Sequence, residues 1–237
     1  MEVAYICYLL FKRNMRSFVF TIIISSFPIF TAVCQTGPGG VGDAASNLLW
    51  CDATTGSRDN SLDTADNGDK VKRLIDQSGN GNDLNQSNSG RRGILVTNSI
   101  NGRSVVRFDG SNDRYQINLG AGILSNFTIF SVGNFRPANQ PAGVNNTMYQ
   151  LGNSINNSVN LIRLNANAGA NADHYYSRTE GINRRGEFLN NNTRIYSQRF
   201  ENSAPFHFLN VDGDAQVVDA HNSIITVSSD LLIGGLT

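Results

Sequence analysis

Short runs of β-branched and aromatic residues, each stopped by a turn of Gly, Asn or Asp, recur along the whole chain, and this punctuation leaves no room for long helices. Val105-Val106-Arg107-Phe108 halts at Asp109-Gly110-Ser111-Asn112, after which Tyr115, Ile117 and Leu119 alternate with polar residues. Leu48-Leu49-Trp50-Cys51 reads as the first strand, and Val71, Leu74 and Ile75 mark another apolar step. Further short strands are expected at 148–151, 159–164, 194–200, 206–211, 215–218 and 224–227. Phe127-Thr128-Ile129-Phe130-Ser131-Val132 is nearly continuous in apolar residues, so it is expected at the centre of a sheet, deep in the molecule. The Asn- and Gly-rich stretches 139–157 and 166–192 read as surface loops. Regular short strands with turn signals predict an all-β sandwich or barrel.

The first residues read as a targeting segment. Lys12, Arg13 and Arg16 precede an apolar stretch from Phe18 to Phe30 that ends in Ala32-Val33-Cys34, with translation able to start at Met15. Residues 1–34 are therefore expected to be a signal peptide, residues 35–47 a Gly-rich lead-in and 48–237 one domain. A membrane anchor is the alternative, but the run falls short of the ~20 residues that span a bilayer. A lipidated Cys34 is another, though Val33 stands where such boxes want a small residue. Removing the leader leaves roughly 200 residues, enough for one β-sandwich core. Cys51 is then the one remaining cysteine, so no internal disulfide can form, and its apolar setting reads as a buried structural thiol.

Charge narrows the partners. Lys and Arg total 19, Asp and Glu total 19, and the formal net charge is +0, so no basic face is expected for nucleic acid. No membrane span is expected once the leader is cut.

Two turns carry a resemblance. Asp76-Gln77-Ser78-Gly79-Asn80-Gly81-Asn82-Asp83, then Asn101-Gly102 and Val106-Arg107-Phe108-Asp109-Gly110-Ser111-Asn112-Asp113, resemble the D-x-S-G-N-G-N and R-F-D-G-x-x-D turns of laminin-G-like (LamG-like) domains in secreted bacterial proteins. The opening Gly37-Pro38-Gly39-Gly40-Val41-Gly42, the 127–130 strand, Val211-Asp212-Gly213 and Leu232-Ile233-Gly234-Gly235 follow in the family's order. The resemblance implies a concanavalin A-like jelly-roll β-sandwich of two antiparallel sheets. It also implies export across a Gram-negative envelope to the cell surface or medium. Family members continue past this point with a strand of the form G-x-I-x-E-x-x-I-Y, which pairs near the first strand. That pattern is absent here, so the expectation is a jelly roll lacking its C-terminal strand, with the backbone of 48–51 unpartnered and further domains of the same polypeptide beyond Thr237.

The chemistry on offer is sparse. Relatives of this overall fold that cleave glycans carry alternating carboxylates on one strand. Here Glu180, Glu187 and Glu201 stand isolated, and Asp212 and Asp214 flank Gly213 in an expected hairpin turn. His174, His207 and His221 lack metal-ligand spacing and read as solvated or capping residues. Oxygen ligands are plentiful, and Asp76, Asn80, Asn82, Asp83, Asp109, Asn112 and Asp113 could hold calcium. The competing reading is that the same side chains satisfy turn amides. Tyr149, Tyr175, Tyr176 and Tyr196 are the rings available near loops to stack on a sugar, set against ordinary packing.

These readings converge on a non-catalytic extracellular recognition module for carbohydrate, with calcium as an optional cofactor and a glycan or a surface protein as partner. The alternative is a structural or adhesive spacer within a larger surface protein. A glycoside hydrolase of the same fold is the third reading.

Overall fold

A computed structural model describes residues 45–124, 126–134, 145–154, 157–164, 174–179, 182–188, 192–201, 207–219 and 227–235, with some strand residues described by backbone alone. The expected signal peptide and most of the lead-in lie outside the described residues. Among the described residues antiparallel strands make up nearly all the regular structure, and helix is confined to single turns at Ala53–Gly56 (α1) and Ser89–Arg91.

The strands fall into two small sheets and two large ones. Strands β1 (Ser57–Arg58), β2 (Arg73–Leu74) and β3 (Leu84–Asn85) form a three-stranded sheet, and β4 (Ile94–Ile100) pairs with β5 (Arg103–Arg107). Six strands build the largest sheet: β6 (Arg114–Leu124), β8 (Asn145–Ser154), β9 (Asn157–Leu164), β10 (His174–Thr179), β11 (Ile182–Phe188) and β15 (Val227–Gly234). Their order is β11-β10-β9-β8-β15-β6. The last sheet runs β14-β13-β12-β7, from β7 (Phe127–Gly133), β12 (Arg194–Phe200), β13 (His207–Val211) and β14 (Asp214–Asp219). Tight turns set the register. Asn101 and Gly102 both take positive φ between the paired residues Ile100 and Arg103, and Asp212 and Gly213 do so between Val211 and Asp214. Two consecutive left-handed residues match the twist of a hairpin, which is why Asn-Gly and Asp-Gly occur there.

One core lies between the two large sheets. Tyr149, Leu151, Val159 and Leu231 from the six-stranded sheet pack with Tyr196, Phe200, Leu209 and Val211 from the four-stranded one. Across the inner face of the latter runs a ladder of rings in register. Phe127 stacks on Phe200 at 4.8 Å between centroids, and Phe200 on His207 at 4.5 Å and 8°. A second core of Val71, Leu74, Leu84, Leu95 and Tyr115 fills the space under the small sheets. Leu49, Ile117 and Ile233 pack against both cores and join them.

Several expectations need correction. Residues 48–51 form no strand. The 166–192 stretch, expected as loop, contains the β10–β11 hairpin, while the strand expected at 148–151 is present and extends over β8 into the stretch expected as loop on both sides. Among the described strands β7 ends the order β14-β13-β12-β7, so it is an edge strand and not central, and its apolar residues face both ways. Phe127 and Ile129 are half-buried, whereas Phe130 is 74% exposed. His207 is neither solvated nor a cap but fully buried in the ring ladder. Asp212, by contrast, sits in the expected turn.

Two substitutions test this packing. Phe200→Ala should cost about 3–5 kcal/mol by opening the centre of the ladder, and a loss under about 1 kcal/mol in urea melts would contradict that central place. Thr147 is 5% exposed, and its hydroxyl finds no partner among the described residues. Thr147→Val should therefore stabilise by about 1 kcal/mol, since a shape-matched methyl needs no hydrogen bond.

Candidate functional site

The turn 76–83 is the most densely bonded segment described. Asp76 is 7% exposed, and its carboxylate accepts from Trp50 N at 3.0 Å and Ser78 N at 2.9 Å through Oδ1. Its Oδ2 accepts from Ser78 Oγ at 2.8 Å and Asn82 N at 2.9 Å. The side chains around it reach back to the segment 47–50. Asn80 Nδ2 donates to Asn47 O at 2.8 Å, Asn82 Nδ2 to Leu48 O at 2.7 Å, and Gln77 N to Trp50 O at 2.8 Å. Asn47 O, Leu48 O and both backbone groups of Trp50 are thus bonded by this turn and not by a neighbouring strand. Asp83 Oδ1 accepts from Asp76 N at 2.9 Å, and its Oδ2 lies 3.7 Å from Arg73.

The second turn works similarly on a smaller scale. Asp109 Oδ1 accepts from the amides of Ser111, Asn112 and Asp113, and Asp113 Oδ2 returns a bond from Asp109 N at 3.0 Å. Burial pushes the Asp113 carboxyl above its ordinary range. Burial alone would raise Asp76 and Asp109 too, but the amide donors outweigh it and both stand below the usual carboxylate value.

These bonds decide how the turn oxygens are used. A carboxylate has about four lone-pair directions, and donors fill them at Asp76, so this group does not fit a calcium ligand. Asn80 and Asn82 spend their amide groups on residues 47 and 48. Among the described residues, no three of His, Cys, Asp and Glu stand together as a metal site. Cys51 packs beside the turn, where burial, then the charges of Asp76 and Asp83, push its thiol up to about 12, leaving it protonated and unreactive.

The expected sugar-stacking rings fare differently. Tyr149 is 4% exposed and donates its hydroxyl to Gln198 Oε1 inside the core, where burial holds the phenol protonated well above its ordinary value. Tyr196 is 1% exposed. Neither can present a ring face to a ligand, and both are core residues. Tyr175 and Tyr176 lie on β10 opposite Arg163 and Ile162, with side chains outside the described part.

The exposed ring is one that sequence reasoning placed inside. On the outer face of the four-stranded sheet stand Phe130, Val132 (59% exposed) and Ile195 (54% exposed). Val132 pairs with Ile195, Phe130 with Ser197 and Thr128 with Arg199. Arg199 closes this face by lying 4.2 Å over the Phe208 ring and 3.0 Å from Glu201. A signal existed in the period-2 pattern of β7. With Phe127 and Ile129 inward, Phe130 and Val132 must point out and Ser131 in.

No protein-family model matches the chain, and no curated protein matches it. Among solved structures, a carbohydrate binding module, CBM66, from Bacillus subtilis is similar over 60% of this chain and 88% of that one. Identity is 14% and the TM-score 0.33, a superposition too loose to carry an argument about fold or ligand.

Asp76→Ala should destabilise by about 3 kcal/mol or more, because it strands several buried donors, and Asp109→Ala by about 1–2 kcal/mol on its exposed turn. Because the folded-state value of Asp76 is depressed, its contribution should be complete above the ordinary carboxylate range and fade as pH falls through the lowered value. Asp76→Asn should flatten that acid limb in melts across pH. Excess chelator should leave the melting temperature of the unmutated chain unchanged, and a fall would show that an ion contributes after all.

Proposed function

We propose that this chain is a non-catalytic, laminin-G-like jelly-roll module that acts outside the cell and binds carbohydrate on the outer face of its four-stranded sheet. The observation that carries the reading is Phe130, a ring 74% exposed on a strand backed by a packed core. An aromatic face held rigid by a sheet suits the C–H face of a pyranose, and neighbouring polar groups fix orientation. Here the neighbours are Thr128, Ser197 and Arg199, whose guanidinium is already fixed over Phe208. No helix among the described residues is long and apolar enough to cross a membrane.

Val132 and Ile195, exposed beside the ring, give a specific reason for a second reading, in which the same face adheres to an apolar protein surface. A glycan array probed with the full chain separates the two. Binding should appear and weaken about ten- to a hundredfold in Phe130→Ala, the loss of one buried ring, with the melting temperature unchanged. An array with no hit, or an unaltered affinity in the variant, would remove the carbohydrate reading from this face.

A further inference from the structure

Three cations in the N-terminal region donate to neutral oxygens where carboxylates would be expected. Arg92 is 4% exposed. It donates from Nε to Gln86 O at 2.7 Å, from Nη1 to Asn60 Oδ1 at 3.1 Å and from Nη2 to Ser87 O at 2.8 Å. Lys72 Nζ reaches the same Asn60, at its backbone oxygen, at 3.2 Å, and Lys70 Nζ donates to Ser89 O at 2.9 Å. None of the three forms an ion pair among the described residues. The nearby Asp59 does not serve them through Oδ1, which accepts from the amides of Ser61 and Asp63.

A buried guanidinium facing only neutral acceptors is an uncommon choice, because a carboxylate partner makes shorter and stronger bonds. Asn60 is itself exposed, so the place where two cations converge opens to solvent. Its amide oxygen stands where the oxygen of an anion would sit. A second cation at that point adds attraction for an oxyanion.

We propose that the corner formed by Asn60, Lys72 and Arg92 is an oxyanion site that takes the sulfate or carboxylate groups of an acidic polysaccharide. The polymer as source rests on the carbohydrate reading above, whereas the oxyanion site stands on its own geometry. Free inorganic sulfate offers the same chemistry.

The experiment is a thermal melt of the full chain at constant ionic strength, replacing chloride with low-millimolar sulfate. The unmutated chain and Phe130→Ala should both gain stability, while Lys72→Gln should bind sulfate at least about tenfold more weakly, the loss of one charged donor. Asn60→Asp supplies a carboxylate at the corner, so it should melt higher without sulfate and lose the response to it. General salting effects act on all variants alike. Equal shifts in the unmutated chain, Lys72→Gln and Asn60→Asp would overturn the site. A second arm measures retention on a sulfated or uronate polymer against a neutral one. Retention that Lys72→Gln abolishes supports the polymer, and a sulfate response without retention overturns the polymer as ligand while leaving the oxyanion site. Loss of neutral-glycan binding in Phe130→Ala, by itself, concerns the other face.

Discussion

The Asp76 carboxylate is the joint on which the N-terminal half is assembled. Two of its partners lie within its own turn and one, Trp50 N, lies 26 residues away. A neutral side chain there could not accept as many bonds, and a buried amide without a partner is costly. By fixing 47–50, the turn also fixes Leu49, which packs against both cores. The link therefore runs from one ionised group, through a backbone segment without sheet partners, to the seam between two hydrophobic clusters. The raised thiol pKa of Cys51 comes first from its burial against this segment and then from the charges of Asp76 and Asp83, which oppose a second negative charge beside them.

The sandwich obeys different rules. Some polar atoms in its interior meet one another, as with the Tyr149 hydroxyl and Gln198, both buried between the sheets. His207 is accommodated by stacking flat on Phe200, which spares it a place among aliphatic side chains. The outer face is less economical. β7 carries no charge and no proline, and it shows Phe130 and Val132 to solvent at the edge of a sheet, where proteins ordinarily place deterrents to association. Such exposure is retained more readily where it serves recognition than where it is idle.

Turn chemistry was the part of this architecture most legible in the sequence. Asn101-Gly102 and Asp212-Gly213 announce two-residue hairpins because few other pairs tolerate consecutive positive φ. The anchoring role of Asp76 and Asp109 was legible because Asp at a tight turn accepts bonds from nearby backbone amides. What failed were judgements of facing and partnership. Phe127 to Val132 looked buried by composition, whereas the pleat decides burial residue by residue. Leu48 to Cys51 looked like a strand because it is apolar, yet its backbone partners are supplied by a turn far along the chain. For Tyr149 and Tyr196 the packing reading holds over the sugar-stacking one, since each occupies an inward position of its strand. The Asn60 corner was invisible beforehand, since nothing in the spacing of Lys72 and Arg92 brings them to one residue.

The position of β15 has a consequence for the nascent chain. It lies between β6 and β8, and its Asp230 bonds to Asn118, 112 residues earlier. As the polypeptide leaves the ribosome, β6 and the β8–β9 hairpin therefore appear with a strand-wide gap between them, each showing an open edge. The small N-terminal sheets and the Asp76 turn are closed by contacts nearer in sequence and can settle while synthesis continues. The large sheet cannot, because the place between β6 and β8 is filled by β15, which is made after every other described strand. Such an order favours slow closure from distant pairing, and it leaves two uncovered strand edges exposed to neighbouring chains until Gly234 has emerged.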